Sequence, residues 1–287
     1  VAIVGRPNVG KSTLLNRLVG ARISIVSGKP QTTRRRITGI VTRENAQIVL
    51  IDTPGYQTEH DNALNRLMNR NVRASLRDVQ AVVWVVEALR FDGRDEEVGG
   101  LLPAGVPLVL AVNKIDRVRD KNLLLPFIAA LSARYRFEAV VPISAEKGTQ
   151  VEVLVDAVIP LLAEGPPCYG EDELTTVSER VLAAELIREK LFHRLGDELP
   201  YAATVEIERF GHEKGVRRIN ATILVEKEGH RPIVIGRSGA RLKAIAAQAR
   251  RDMERLFGGR VFLEVWVKVR RGWTANEGLL RRLGIGD

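Results

Sequence analysis

Residues 1–13 read Val1-Ala2-Ile3-Val4-Gly5-Arg6-Pro7-Asn8-Val9-Gly10-Lys11-Ser12-Thr13, and this stretch decides the fold. Four apolar residues predict a strand buried on both faces, and the run after Gly10 has amphipathic helical spacing. Between them, Gly5 to Ser12 fits Gly-x-x-x-x-Gly-Lys-[Ser/Thr] in the strand–turn–helix setting that a phosphate-cradling loop requires. The glycines let backbone amides curl around phosphate oxygens, and the following helix aims its positive end at them. Lys11 is placed to reach β- and γ-phosphates, and the Ser12 hydroxyl to bind magnesium. A glycine-rich turn with a chance lysine has the same spelling, so the rest of the sheet edge has to agree.

Outward from this loop, short β-branched runs at 1–4, 47–51, 81–86, 107–112 and 139–143 alternate with helix-length amphipathic stretches at 11–19, 62–76, 96–102, 121–135 and 151–163. That alternation predicts βαβ units on a mostly parallel sheet, with a further edge strand near Val41. Three of the strands end in polar loops. Asp52-Thr53-Pro54-Gly55 puts a carboxylate at the carboxyl edge of the sheet, where a magnesium shell is held, and a glycine where the γ-phosphate is sensed. Asn113-Lys114-Ile115-Asp116 offers a carboxylate suited to accept from guanine N1–H and its exocyclic amine, with Lys114 along the base. Ser144-Ala145 opens a fourth loop at the same edge. Each tetrad alone reads as a turn or helix cap; four in order, each after a strand, point to one guanine-nucleotide site.

Gly165-Pro166-Pro167 breaks the last helix, and the domain boundary is placed there: a first domain over 1–164, a linker over 165–177 and a second domain over 178–287. The second part reads as α+β: a helix over about 178–195, strands at 203–209 and 216–225, a helix over 240–257 and a strand at 261–269. Gly236-Arg237-Ser238-Gly239 precedes the second of these helices, with Arg241 and Lys243 just beyond it. Two glycines allow a nucleic-acid backbone to approach, and the flanking cations can neutralise its phosphates. Pro232 to Ile235 carries β-forming residues and on its own reads as a short strand. Trp266 reads as packed. Trp273, in a Gly-Trp-Thr loop, is the better candidate to stack on a base.

The chain has 287 residues with 44 Lys and Arg against 35 Asp and Glu, a formal charge of +9. Residues 1–165 carry 22 basic and 17 acidic side chains, residues 166–204 carry 4 and 8, and residues 205–287 carry 18 and 10. The last third is therefore the more basic, as expected of a phosphate-contacting face. One cysteine, Cys168, excludes an internal disulfide and favours a reducing compartment, and four scattered histidines give no zinc-ligand spacing. The apolar runs fall well short of the roughly 20 residues of a spanning helix. The chain opens at Val1 within a strand that reads as clipped, and no secretory signal is expected.

The four loops resemble those of the small G-domain GTPases over about residues 1–164. The resemblance implies that GTP and GDP bind across Gly5, Arg6, Pro7, Asn8, Val9, Gly10, Lys11, Ser12 and Thr13, with Asp52, Thr53, Pro54, Gly55 and Tyr56 at the γ-phosphate. Asn113 and Asp116, with Lys114, then read guanine, and Ser144 and Ala145 support it. Magnesium is implied at Ser12, Asp52 and a threonine of the switch segment Gln31-Thr32-Thr33-Arg34, Thr33 being favoured over Thr32. Tyr56 stands where Ras-like enzymes carry the water-orienting glutamine, so intrinsic hydrolysis is expected to be slow. The chain is similar in this respect to hydrophobic-substituted GTPases, some of which bind potassium through the asparagine here numbered Asn8.

Residues 178–275 look like a type II KH domain, with Gly236, Arg237, Ser238, Gly239, Arg241, Lys243 and Trp273 as the RNA-binding set. The resemblance also implies a short helix at Pro232 to Ile235 in place of the strand, with which a proline at a first helical position is compatible. The combination, with Gln31-Thr32-Thr33-Arg34, 206–210 and 266–269, closely resembles the Era family of bacterial GTPases. What that implies is a cytoplasmic, monomeric GTP-hydrolysing switch that binds the 3′ end of small-subunit ribosomal RNA during small-subunit assembly, with some peripheral membrane contact. A membrane-associated signalling GTPase whose KH-like domain contacts proteins is the alternative.

Overall fold

The computed structural model describes residues 1–29, 32–56, 62–196 and 198–285, and its contacts divide the chain into two compact units. The first holds β1 (Ala2–Val4), α1 (Lys11–Val19), β2 (Ile37–Arg43), β3 (Ala46–Asp52), most of α2 (Ala63–Ser75), β4 (Val82–Glu87), α3 (Gly93–Gly99), β5 (Leu108–Asn113), α4 (Leu124–Ser132), β6 (Ala139–Pro142) and α5 (Val151–Val158). The six strands form one sheet in the order β2-β3-β1-β4-β5-β6, with only the β2–β3 pair antiparallel.

β1, β4 and β5 sit centrally and have helices on both faces, which is why their sequences are almost uninterrupted apolar runs. Trp84 on β4 is fully buried and meets the Tyr135 ring edge-on at 4.9 Å. The strand near Val41 is β2, an antiparallel edge. Its outer side is covered: Ile40 N–H donates to the Leu174 carbonyl and Gly39 bridges Thr175. The acidic stretch after Gly165-Pro166-Pro167 thus closes a sheet edge that would otherwise be an open template for pairing.

Three helices differ from the sequence reading. α4 runs Leu124–Ser132 after a 3-10 turn at Lys121–Leu123, shorter than the expected 121–135, and the other two differ for local reasons. α3 starts at Gly93 rather than Glu96, because Asp92 and Asp95 form a reciprocal capping box at its amino end. α5 stops at Val158 and tightens into a 3-10 turn, because Pro160 has no N–H to continue the α-helical ladder.

The second unit takes in residues 177–287 together with 25–32 and 62–64. It contains α6 (Glu179–Arg194), β7 (Ala203–Glu213), β8 (Val216–Val225), α7 (His230–Ile235), α8 (Ala240–Phe257), β9 (Arg260–Val269) and α9 (Glu277–Arg282). Its sheet runs β7-β8-β9, antiparallel then parallel. One face packs on the helices through Ile187, Leu191, Ile219, Ile223, Val234, Ile245 and Met253. Residues 232–235 are helical as expected, so α7 leads directly into the glycine loop.

Candidate functional site

The carboxyl edge of the six-stranded sheet gathers the expected loops. Gly5 has φ of 153°, and a β-carbon there would lie 2.4 Å from the Val85 carbonyl oxygen. Gly10 has φ of 105°, with the Asn113 amide nitrogen 2.3 Å from where its β-carbon would be. Both glycines are therefore required by left-handed backbone and close approach together. Lys11 Nζ donates to the Gly5 and Arg6 carbonyls at 2.8 and 3.0 Å, which fixes the ammonium inside the loop. Burial pulls its pKa down from 10.5 to about 8.

Around Asp52, three loops converge. Its Oδ2 accepts from Ser12 Oγ at 2.7 Å and from Ser24 Oγ at 2.8 Å, and Ser12 Oγ lies 2.8 Å from Thr33 Oγ1. Oδ1 is buried with no hydrogen-bond partner. Burial raises the Asp52 pKa against the opposing pull of Lys11, so the ionised form lacks compensation that a cation would supply. Hydroxyl and carboxylate oxygens with one orphaned oxygen suit a hard divalent ion such as magnesium.

Thr32 points elsewhere: its Oγ1 lies 2.7 Å from both the Lys29 carbonyl and Ser27 Oγ. This geometry favours Thr33 as the metal-facing hydroxyl. Gln31 lies outside the described residues. Gly55 abuts the phosphate loop, since a β-carbon there would fall 2.8 to 2.9 Å from Pro7. Thr53 Oγ1 donates to the Ile3 carbonyl, and Tyr56 is buried with its hydroxyl accepting from Arg73 at 3.2 Å.

At the other end of the edge, Asn113 is a brace. Its amide nitrogen donates to the Val9 carbonyl at 2.7 Å and its oxygen accepts from Ala145 N–H at 2.9 Å, tying the phosphate loop to the Ser144-Ala145 loop. Asp116 is exposed, and Ser144 Oγ donates to it at 2.6 Å. That hydrogen bond holds its carboxyl below the usual range, leaving an ionised acceptor aimed outward.

Sequence reasoning grouped Arg6 with the nucleotide contacts, but its guanidinium is committed: Nε meets Asp95 at 3.0 Å and an Nη meets Glu87 at 3.1 Å. Only its backbone is left to serve the loop. Lys114, with φ of 67°, donates to the same Glu87 oxygen at 3.0 Å. Burial pushes Glu87 up, but Lys114 and Arg6 outweigh it and hold the carboxyl low. Ser24, Glu87 and Asp95 carry no local motif, so only the tertiary structure reveals them.

In the second unit, Gly236 and Gly239 have φ of 74° and 77°, and a β-carbon on Gly236 would lie 2.7 Å from that of Arg241. Arg237, Ser238 and Lys243 are exposed beside them, as is Ile233, whose apolar side chain lies open at the end of α7. Trp273 corrects the sequence reading. It is fully buried and its Nε1 donates to the Ala202 carbonyl at 3.2 Å, so no ring face is left for a base. Trp266 is instead 43 % exposed and Phe262 45 %, because both project from the sheet face opposite the helices.

Comparison with known proteins agrees with this geometry. The family of 50S ribosome-binding GTPases matches residues 1–114, and the KH domain family matches residues 198–274. GTPase Era of Stenotrophomonas maltophilia strain R551-3 is 54 % identical over 285 residues, covering 99 % of this chain and 96 % of that protein. GTPase Era of Chromobacterium violaceum is 52 % identical with the same coverage. Two solved structures superpose with a TM-score of 0.96 at 36 % identity, each covering 100 % of this chain and 98 % of the other. One is a variant of Aquifex aeolicus Era bound to GDP and aluminium fluoride, and the other is Era in complex with MgGDPNP and nucleotides 1506–1542 of 16S ribosomal RNA.

Proposed function

The chain belongs to the Era family of GTPases, and from that membership we propose a magnesium-dependent GTP switch whose second unit binds single-stranded ribosomal RNA, at the 3′ end of the small-subunit rRNA, during assembly of that subunit. The observation that carries the enzymatic half is the convergence of Ser12, Thr33 and Asp52, with its orphaned oxygen, beside a buried Lys11. The solved relative in complex with MgGDPNP and 16S ribosomal RNA supports the metal and the RNA.

In this reading, loop amides and the Lys11 ammonium hold the β- and γ-phosphates, and a bound magnesium ion neutralises charge on them. Ser12, Thr33 and Asp52 orient that ion. Gly55 presents its N–H to the γ-phosphate, where its closeness to Pro7 leaves no room for a side chain. Asp116 selects guanine, and Asn113 keeps the base and phosphate loops in register. Tyr56 is held by Arg73 and supplies no water-orienting amide, so the intrinsic rate is slow. Asn8 is assigned a potassium ion in place of an arginine finger; equal single-turnover rates in sodium and potassium would remove that assignment.

The switch is assigned to residues 29–39 and 55–65, of which 30, 31 and 57–61 lie outside the described residues; the γ-phosphate and metal hold such segments and hydrolysis releases them. Within the second unit, Lys29 Nζ donates to the Leu195 and Gly196 carbonyls and Arg188 donates to the Thr32 carbonyl. A shift of Thr33 therefore pulls on a segment already anchored to α6. The test is RNA affinity in the GTP-analogue and GDP forms. The two should differ several-fold, with Lys29→Met reducing the difference; equal affinities in the native protein would sink the coupling. Cytoplasmic location, a monomeric state and peripheral contact with the inner membrane face belong to the same proposal. No helix among the described residues is long and apolar enough to cross a membrane.

A further inference from the structure

The basic charge of the last third leaves a second surplus unexplained, five positive charges in residues 1–165. Part of it is drawn into one line. From Ala63 to Arg77 there are four arginines and no acidic residue. Arg66, Arg70 and Arg73 lie along α2, and Arg77 lies in the turn just beyond it. All four are exposed, whereas Leu64, Asn65, Leu67, Met68, Asn71, Val72, Ser75 and Leu76 of the same stretch are buried.

Spacings of four, three and four residues put the arginines on one helical face, spread over about 16 Å at 1.5 Å per residue. Like charges at these spacings repel, and a solvated helix face normally interleaves acids among them. Here none does, and neither Arg70 nor Arg77 has an ion-pair partner among the described residues. Arg73 is tied to Tyr56, directly after Gly55, so the line touches the segment that answers to the γ-phosphate.

We propose that this arginine line on α2 is a second RNA-contacting surface, which takes the phosphodiester backbone independently of base sequence. It rests on the RNA-binding function proposed above. Guanidinium groups suit phosphate oxygens through paired N–H donors, and a linear array of them matches a linear polyanion. An anionic membrane is the weaker occupant. An interfacial helix needs an apolar face free to enter the lipid, and the apolar face of α2 is already spent on the protein core.

The test is the salt dependence of binding to a long oligo(U) strand by the full chain in its GTP-analogue form. Each phosphate neutralised on a single strand contributes about 0.7 to the slope of log affinity against log salt, so R70Q/R77Q should lower the slope by about 1.4. Affinity at low salt should fall roughly tenfold, GTP hydrolysis should stay at the native rate, and R70K/R77K should restore the slope. An unchanged slope in R70Q/R77Q overturns the proposal. So does loss of binding to phosphatidylglycerol vesicles with RNA binding intact, which would assign the line to a lipid surface. Failure of the native chain to bind oligo(U) while it binds a strand copied from the 3′ end of small-subunit rRNA also overturns the proposal, whereas failure to bind either strand would remove the RNA-binding function on which the proposal stands.

Discussion

The nucleotide edge of the first unit and the glycine loop of the second both address phosphates, and they are built in opposite ways. At the first, Lys11, Asp52, Asn113 and Ser144 are buried and hydrogen-bonded to one another's loops before any ligand is considered. At the second, Arg237, Ser238 and Lys243 stand exposed, and beyond the backbone only Arg241 is held, its guanidinium donating to the Ile233 carbonyl. Chemistry needs dipoles that do not reorganise as charge develops, whereas a polyanion needs cations free to follow it. Point substitutions should therefore act sharply at the first and gradually at the second.

The largest effect is expected at Lys11. Lys11→Ala removes the only ammonium inside the phosphate loop and should lower single-turnover GTP hydrolysis by about a thousandfold or more. If RNA affinity of the GDP form changes comparably, the two regions are not separable and the contrast fails.

The two tryptophans sharpen the contrast within the second unit. Trp273→Ala opens a cavity in a filled core and should destabilise that unit by about 3 to 5 kcal/mol in urea unfolding. Trp266→Ala, on a half-open sheet face, should cost about 1 kcal/mol or less. Equal losses would mean that the exposed face is as tightly packed as the core. Gly236→Asp combines a forbidden φ with a carboxylate at the phosphate approach, and should weaken RNA binding about a hundredfold with GTP hydrolysis unchanged. A parallel loss of hydrolysis would break the division of labour.

The same contrast governs what could be read from sequence. The nucleotide edge was legible because its parts are contiguous spellings after strands: Gly5 to Ser12, Asp52 to Gly55 and Asn113 to Asp116 each carry backbone and side chain together. Buried partners at long range were not legible. Nothing around Ser24 signals that its hydroxyl reaches Asp52, and nothing around Glu87 signals that it joins Arg6 to Lys114. Trp273 was misread because a Gly-Trp-Thr loop spells exposure, while its indole in fact finds the Ala202 carbonyl inside. The helix at His230–Ile235 was not legible from its own β-branched residues, and only the resemblance to KH domains implied it; it starts two residues before Pro232, with Gly229 as its N-cap.

The smallest expected effect tests preorganisation itself. Burial sets Lys11 at about 8 in the free folded chain against 10.5 unfolded. Between those values the unfolded chain binds more protons, so this group makes the free protein more stable as pH rises from about 8 to 10.5, and contributes no slope below that window. At pH 9 about nine-tenths of the folded population has a neutral Lys11. Triphosphate oxygens beside Nζ restore the ammonium, so GTP binding at pH 9 should take up close to one proton, falling toward none at pH 6.5. Calorimetry in two buffers of different ionisation enthalpy measures that number directly. Uptake near zero at pH 9 would show that the lysine is already charged in the free loop. The ammonium would then be solvated rather than held dry, and the nucleotide edge would differ from the RNA surface in shape alone.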